Sequence, residues 1–144
     1  MKAALDASIM LNRSRLRDNR VRLILEPIDP KLQIVGRRVR LEQVVVILLQ
    51  NANEALESTT DPEVRITATA DHDWVWLRIS DNGPGLNSEV MAQLFTPFVT
   101  TKEKGLGLGL VIAHDILRDF GGELTAENAT SGAVFTLKLR KVEL

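Results

Sequence analysis

Residues 39–56 constrain the fold most strongly. Leu41, Val44, Val45, Leu48, Leu49, Ala52, Ala55 and Leu56 recur at helical spacing, giving a wide apolar stripe of the kind a helix turns toward a core. Such a helix needs a second layer to cover it. The flanking sequence supplies the candidates. Residues 2–20 place Leu5, Ile9 and Leu16 among Asn and Arg, which predicts an amphipathic helix. Residues 21–25 read as a short strand, Pro27 and Pro30 then break the chain, and residues 33–35 could add a second short strand closed by Gly36. After the turn at Ser58-Thr59-Thr60-Asp61-Pro62, residues 64–70 and 74–80 alternate as strands. Residues 81–85 form a tight loop, and Ser88 is expected to cap a short helix through Leu94. Residues 95–107 read as a loop. A helix over 108–120 stops at Gly121-Gly122, and strands at 123–128 and 133–139 follow.

This order is not a regular alternation of strand and helix, so a doubly wound sheet is disfavoured. It predicts an α/β (α+β) two-layer sandwich, with helices on one face of a mixed, mainly antiparallel sheet. No repeat, low-complexity tract or internal domain boundary is visible. A chain of 144 residues buries roughly 70% of its unfolded surface, enough for a single core.

Composition removes several function classes. With no cysteine, disulfide scaffolds, zinc–thiolate sites and thiol nucleophiles are excluded. A net charge of −1 and 4% aromatics argue against a nucleic-acid partner. The longest apolar run, residues 44–49, is far too short to span a bilayer, and Asp6 interrupts any signal-peptide core. No direct membrane contact is expected from this segment.

Three segments could carry chemistry, and each also has an ordinary structural reading. Asn51, in Gln50-Asn51-Ala52-Asn53-Glu54, neighbours the buried stripe. Its amide oxygen suits Mg²⁺, a hard cation that takes few protein ligands beside phosphates, or it bonds a neighbouring loop. Asp81-Asn82-Gly83-Pro84-Gly85 closes a strand. Its glycines let a ligand approach the backbone, and Asp81 could accept from an amino group such as adenine N6. Asp-Asn-Gly is also common turn chemistry. Gly105-Leu106-Gly107-Leu108-Gly109-Leu110 precedes a helix. Its exposed N–H groups suit phosphate, though it matches neither the dinucleotide fingerprint nor the P-loop and could be a hinge. Between the last two segments, Lys102 could reach a terminal phosphate as a point charge, or simply be solvated.

Taken together and in this order, these segments resemble the catalytic, ATP-binding domain of bacterial sensor histidine kinases. That domain belongs to a superfamily with gyrase B, Hsp90 and MutL. The likeness runs over residues 21–139. Residues 43–56 resemble the N box, 81–85 the first glycine box, 94–98 the F box, 105–110 the second glycine box, and Gly132-Ala133-Val134-Phe135-Thr136 the last glycine motif. The short lid from Thr100 to Gly105 is most similar to the nitrogen-regulation and C4-dicarboxylate sensor subfamily.

The resemblance implies that Asn51 holds Mg²⁺ and that Asp81 reads adenine, with Gly83 and Gly85 shaping the pocket. It implies that Gly105, Gly107 and Gly109 carry a mobile ATP lid over the phosphates, with Lys102 near the γ-phosphate and Phe95 and Phe98 as anchors. Thr136 is expected to support Asp81 through water. Asn53, Glu54, Leu86, Thr100, Thr101, Leu106, Leu108 and Leu110 complete the implied nucleotide contacts. ATP and Mg²⁺ are the implied cofactors, Asn51 and Lys102 the implied catalytic residues. The partners are a phosphoacceptor histidine on a separate dimerisation domain of the same parent and a response regulator downstream. Residues 1–20 then read as a helical connection from that dimerisation domain and residues 21–144 as the catalytic domain. The location is cytoplasmic, in a parent that could be anchored in the inner membrane.

Two departures stand out. Hydrolysing relatives carry a Glu four positions before the Mg²⁺ ligand, whereas here that position is Ile47, so weak intrinsic hydrolysis is expected. His72 and His114 are the only histidines. His114-Asp115-Ile116-Leu117-Arg118 looks superficially like a phosphoacceptor motif but lacks the following proline, so His114 reads as a structural helix residue and His72 as a solvated turn residue. The arginines Arg13, Arg15, Arg17 and Arg20 form a solvated face or a docking face for partner helices. An anti-sigma-type serine kinase shares the boxes, but it would need a base such as Glu42 or Glu54. A nucleotide-binding module without activity in isolation is the remaining alternative.

Overall fold

The computed structural model describes residues 1–96 and 108–142. Helix α1 spans Lys2–Asp18, strand β1 Arg22–Leu25, helix α2 Arg38–Ala55, and strands β2 and β3 Glu63–Ala70 and Trp74–Asp81. Then come α3 (Ser88–Ala92), α4 (Gly109–Asp119), β4 (Glu123–Asn128) and β5 (Ala133–Arg140). The strands form one sheet in the order β1-β2-β3-β5-β4. Only β1 and β2 are parallel; the other three pairings are antiparallel. The mixed, mainly antiparallel two-layer sandwich expected from element order is what forms.

Period-two patterning determines which sheet face is covered. Val64 and Ile66 of β2, Val75, Leu77 and Ile79 of β3, and Phe135, Leu137 and Leu139 of β5 are buried. Against them lie Leu41, Val44, Val45, Leu48 and Leu49 of α2 and Ala113, Ile116 and Leu117 of α4. The other face carries Arg65, Thr67, Trp74, Trp76, Arg78, Thr136 and Lys138, none of them buried.

Helix α1 belongs to this core. Ala4, Leu5, Ile9 and Leu16 are buried. Ser8 is buried as well, and its hydroxyl donates to the Ala4 carbonyl at 2.7 Å and to the Glu42 carbonyl of α2 at 3.3 Å. The expected division of the chain between residues 20 and 21 is therefore not a division in the packing.

Two local expectations change. Residues 33–35 form no strand. A single bridge joins Ile34 to Lys141, flanked by Val35 N–H to the Arg140 carbonyl and Val142 N–H to the Gln33 carbonyl. Helix α3 is capped by Asn87, whose Oδ1 accepts from Val90 N–H at 2.8 Å, so Ser88 is its first helical residue rather than its cap. Asn at the cap position satisfies an orphan N–H as well as Ser would.

Candidate active site

Asp81 ends β3 on the covered face of the sheet and is only 9% exposed. Its Oδ1 accepts from Gly83 N–H at 3.0 Å and from Ala133 N–H at 3.4 Å. Burial pushes its carboxyl up from the ordinary value, and the two N–H groups pull against that shift. Among the described residues no donor reaches Oδ2, which leaves that oxygen for a ligand N–H.

The backbone crowds this carboxylate from two sides. Gly132, at φ +86°, has no room for a side chain: an added Cβ would stand 1.8 Å from the Asp81 carbonyl oxygen. A Cβ on Gly83 would lie 3.1 Å from both the Ala55 carbonyl and Asp81 Oδ1. The loop after Asp81 thus passes over the C-terminal end of α2, bringing the Asn51 helix and the Asp81 strand together.

Two asparagines that the sequence reading did not single out fix this loop. Asn128, at the end of β4, accepts from Leu86 N–H at 2.8 Å and donates to the Leu86 carbonyl at 2.7 Å. Asn82 accepts from Glu63 N–H at 2.8 Å and donates to the Asp61 carbonyl at 2.9 Å. The Asn128 bond spans 42 residues of sequence, and no local signal marks it.

Helix α2 divides the N-box candidates between its flanks. Ile47 and Asn51 are one turn apart on one side. A Cβ on Gly109, the first residue of α4, would lie 3.3 Å from Ile47 Cγ2, so this side faces the α4 N-terminus. Asn51 is half-buried there, and Glu54 is exposed close to the same line. Asn53 lies about 200° round the helix from Asn51. Its Oδ1 accepts from Asn19 Nδ2 at the end of α1, at 3.0 Å, which turns it away from α4 and against its expected role at the nucleotide.

The Thr136 expectation also fails on sheet geometry. Thr136 pairs with Arg78 on the outer face, whereas Asp81 continues the inward set of Val75, Leu77 and Ile79. The support that Thr136 was expected to give Asp81 comes instead from the Ala133 backbone N–H.

Among the described residues no side chain caps α4 at Leu108, and a helix N-terminus without such a cap suits an anion. Leu108, Gly109 and Leu110 open it. The Phe95 ring stacks on His114 of α4 at 4.6 Å between centroids, 22° between planes. His114 is therefore a packed helix residue, as expected, and its stack ties the segment before residue 97 to α4. His72 is exposed and bonds Asp73 Oδ1 at 3.1 Å. Phe98, Thr100, Thr101, Lys102, Gly105, Leu106 and Gly107 lie outside the described residues. Among the described residues no helix is long and apolar enough to cross a membrane, and no three acidic or histidine groups cluster as a metal site.

A buried acceptor at a strand end, the Asn51-bearing helix under the loop that follows it, and the N-terminus of α4 facing Ile47 are the features that this two-layer α/β sandwich brings together. The chain belongs to the histidine kinase-, DNA gyrase B- and HSP90-like ATPase family, whose model matches residues 36–143. Relatives within it include sensor kinases. The C4-dicarboxylate transport sensor protein DctB of Rhizobium meliloti is 43% identical over 98% of this chain and 23% of its own length. The sensory histidine kinase/phosphatase NtrB of Rhizobium leguminosarum is 34% identical over 78% of this chain and 33% of its own. The chain thus spans a third or less of these relatives. The catalytic domain of histidine kinase ThkA superposes with a TM-score of 0.85 at 29% identity, covering 99% of this chain and 95% of that one.

Proposed function

We propose that this chain binds Mg-ATP and presents its γ-phosphate to a histidine on a separate dimerisation domain, as the kinase core of a two-component sensor. The observation that carries this reading is Asp81: a carboxylate held through one oxygen by two backbone N–H groups, with no donor among the described residues on the other. An acceptor so fixed takes an N–H donor rather than a carbonyl, and the exocyclic amine of adenine is such a donor.

The residues around it fit the rest of the nucleotide. The α4 N-terminus takes phosphate oxygens. Asn51 offers one neutral oxygen on the same flank of α2. The absence of an acidic cluster among the described residues fits an ion that draws most of its ligands from phosphate and water. Bound there, Mg²⁺ supplies charge neutralisation on the phosphates. Lys102 is proposed as a further cation toward the γ-phosphate. Ile47 lines the Asn51 flank with a side chain that cannot take a proton, so the site holds ATP without activating water. A histidine acceptor needs no such base, because neutral imidazole is already a nucleophile. The names of the relatives favour histidine over the serine of the anti-sigma type.

The structure of ThkA in complex with the response regulator TrrA is among the fold's matches, and a response regulator is proposed here as the downstream partner. The dimerisation domain and a cytoplasmic location in a membrane-anchored parent belong to the same proposal.

The test is calorimetric titration with Mg-ADP and a non-hydrolysable ATP analogue. Wild type is expected to bind both, Asp81→Asn neither, and Asn51→Ala to lose the Mg²⁺-dependent part alone. A folded wild type that binds neither nucleotide overturns the reading.

A further inference from the structure

The outer sheet face carries a cluster that the nucleotide site does not use. Register puts Trp74 opposite Arg140 and Trp76 opposite Lys138, with Arg78 opposite Thr136 one pair further on. Lys138 Nζ lies 4.2 Å from the centre of the Trp74 ring, and the Arg140 guanidinium carbon 5.1 Å from it. Both cations are within range of the ring quadrupole. Arg78 donates to Thr69 Oγ1 at 3.1 Å.

Among the described residues, no carboxylate forms an ion pair with Arg78, Lys138 or Arg140. Two acids stand nearby, and among the described residues neither is ion-paired to these cations. Glu123 stands at the sheet edge opposite Lys138, and Asp73 bonds His72. Two of these cations, Lys138 and Arg140, are held over the Trp74 ring, and the third, Arg78, is fixed by its bond to Thr69.

A cleft opens beside this row. Val35, Asp73, Trp74, Arg140 and Lys141 line it, and its volume is about 310 Å³. Val35 is 45% exposed, which gives the cleft an apolar wall facing the indole. Lys141 is held in place, its Nζ donating to the Asp71 carbonyl at 3.2 Å.

We propose that this face docks an acidic protein segment, whose carboxylates meet Arg78, Lys138 and Arg140 and whose one apolar side chain enters the cleft between Val35 and Trp74. Charge complementarity selects the partner: unpaired cations that are already ordered lose little freedom on meeting carboxylates. Trp and Arg are also the residue types that dominate binding energy at protein interfaces. The cleft is a concave recess with an apolar wall, which favours a protruding polypeptide side chain over a flat lipid surface. Docking here leaves the helix layer, and with it the nucleotide site, uncovered.

Trp74 and Trp76 are the only tryptophans and tyrosine is absent, so intrinsic fluorescence reports this face alone. The experiment titrates the full chain with a heptapeptide of glutamates around one central leucine. A second arm uses the same peptide with serine for leucine, and a third uses phosphatidylglycerol vesicles. The expected result is a saturable change in emission with the leucine peptide, weakened by added salt and several-fold weaker with the serine peptide. Lys138→Gln with Arg140→Gln should weaken it about tenfold, while Mg-ADP affinity and circular dichroism stay unchanged. If the double variant fails to fold, Arg140→Gln alone, at an exposed position, is read in its place. No emission change with the leucine peptide, equal binding of the two peptides, binding indifferent to the charge removal, or a stronger response to the vesicles than to the peptide would each overturn the proposal.

Discussion

Asp81 is buried where an ionised carboxylate is costly, and its upward shift has a definite sign for stability. The unfolded chain ionises this group first. Between the ordinary value and the raised folded value, the folded state holds the extra proton. Stability therefore falls as pH rises through that window and stays lower above it. Asp81→Asn keeps an oxygen for Gly83 and Ala133 but removes the charge. The variant is expected to melt no lower than wild type near neutral pH, with its advantage shrinking toward acid, while losing adenine binding. Melting curves across pH, paired with titration, check both halves. Gly132 is the opposite case. With a Cβ placed 1.8 Å from a backbone oxygen at φ +86°, Gly132→Ala is expected to cost about 3 kcal/mol or more in denaturant unfolding. Ile47 gives a chemical prediction. Wild-type ATP hydrolysis should be slow, Ile47→Glu should speed it, and rapid turnover by the wild type would remove the argument that a base is missing.

At the scale of elements, what could be read in advance follows from how local each signal is. The α2 stripe and the alternation in β2, β3 and β5 are written in neighbouring residues, and those elements fall within two residues of expectation. Asn51, Asp81 and Gly83 are proposed as site residues for the same reason: each sits in a contiguous motif. The Asn128 clamp was not, because its partner Leu86 is 42 positions away. Thr136 was misjudged because its motif is contiguous while its direction depends on register with β3. Asn53 was misjudged because sequence adjacency to Asn51 says nothing about helix flank. These differences are testable side by side. Asn53→Ala should lose its bond to Asn19, cost about 1 kcal/mol and leave nucleotide affinity unchanged, whereas Asn51→Ala should weaken the Mg²⁺-dependent part of nucleotide binding. Asn128→Ala strips two bonds from Leu86. It should lower stability by about 1–3 kcal/mol and weaken nucleotide binding, measured in the same pair of assays.

For the whole molecule, the core ignores the boundary drawn between residues 20 and 21. A fragment starting at residue 21 loses Leu5, Ile9 and Leu16 from the buried set and exposes the α2 surface they cover. It is expected to lack cooperative unfolding, and a fragment that melts like the full chain would restore the boundary. Ligand linkage gives a second global readout: at a hundredfold excess over Kd, Mg-ADP should stabilise the fold by about 2.7 kcal/mol.

Strand order adds a consequence in time. The final strand, β5, inserts between β3 and β4, and β4 has no other neighbour in the sheet. During synthesis, β1 to β4 and α1 to α4 leave the ribosome while the sheet is still split. Asp81 lacks both the Ala133 N–H and the close cover of Gly132 until β5 has paired with β3. Closing the sheet and completing the surroundings of this carboxylate are therefore one and the same step.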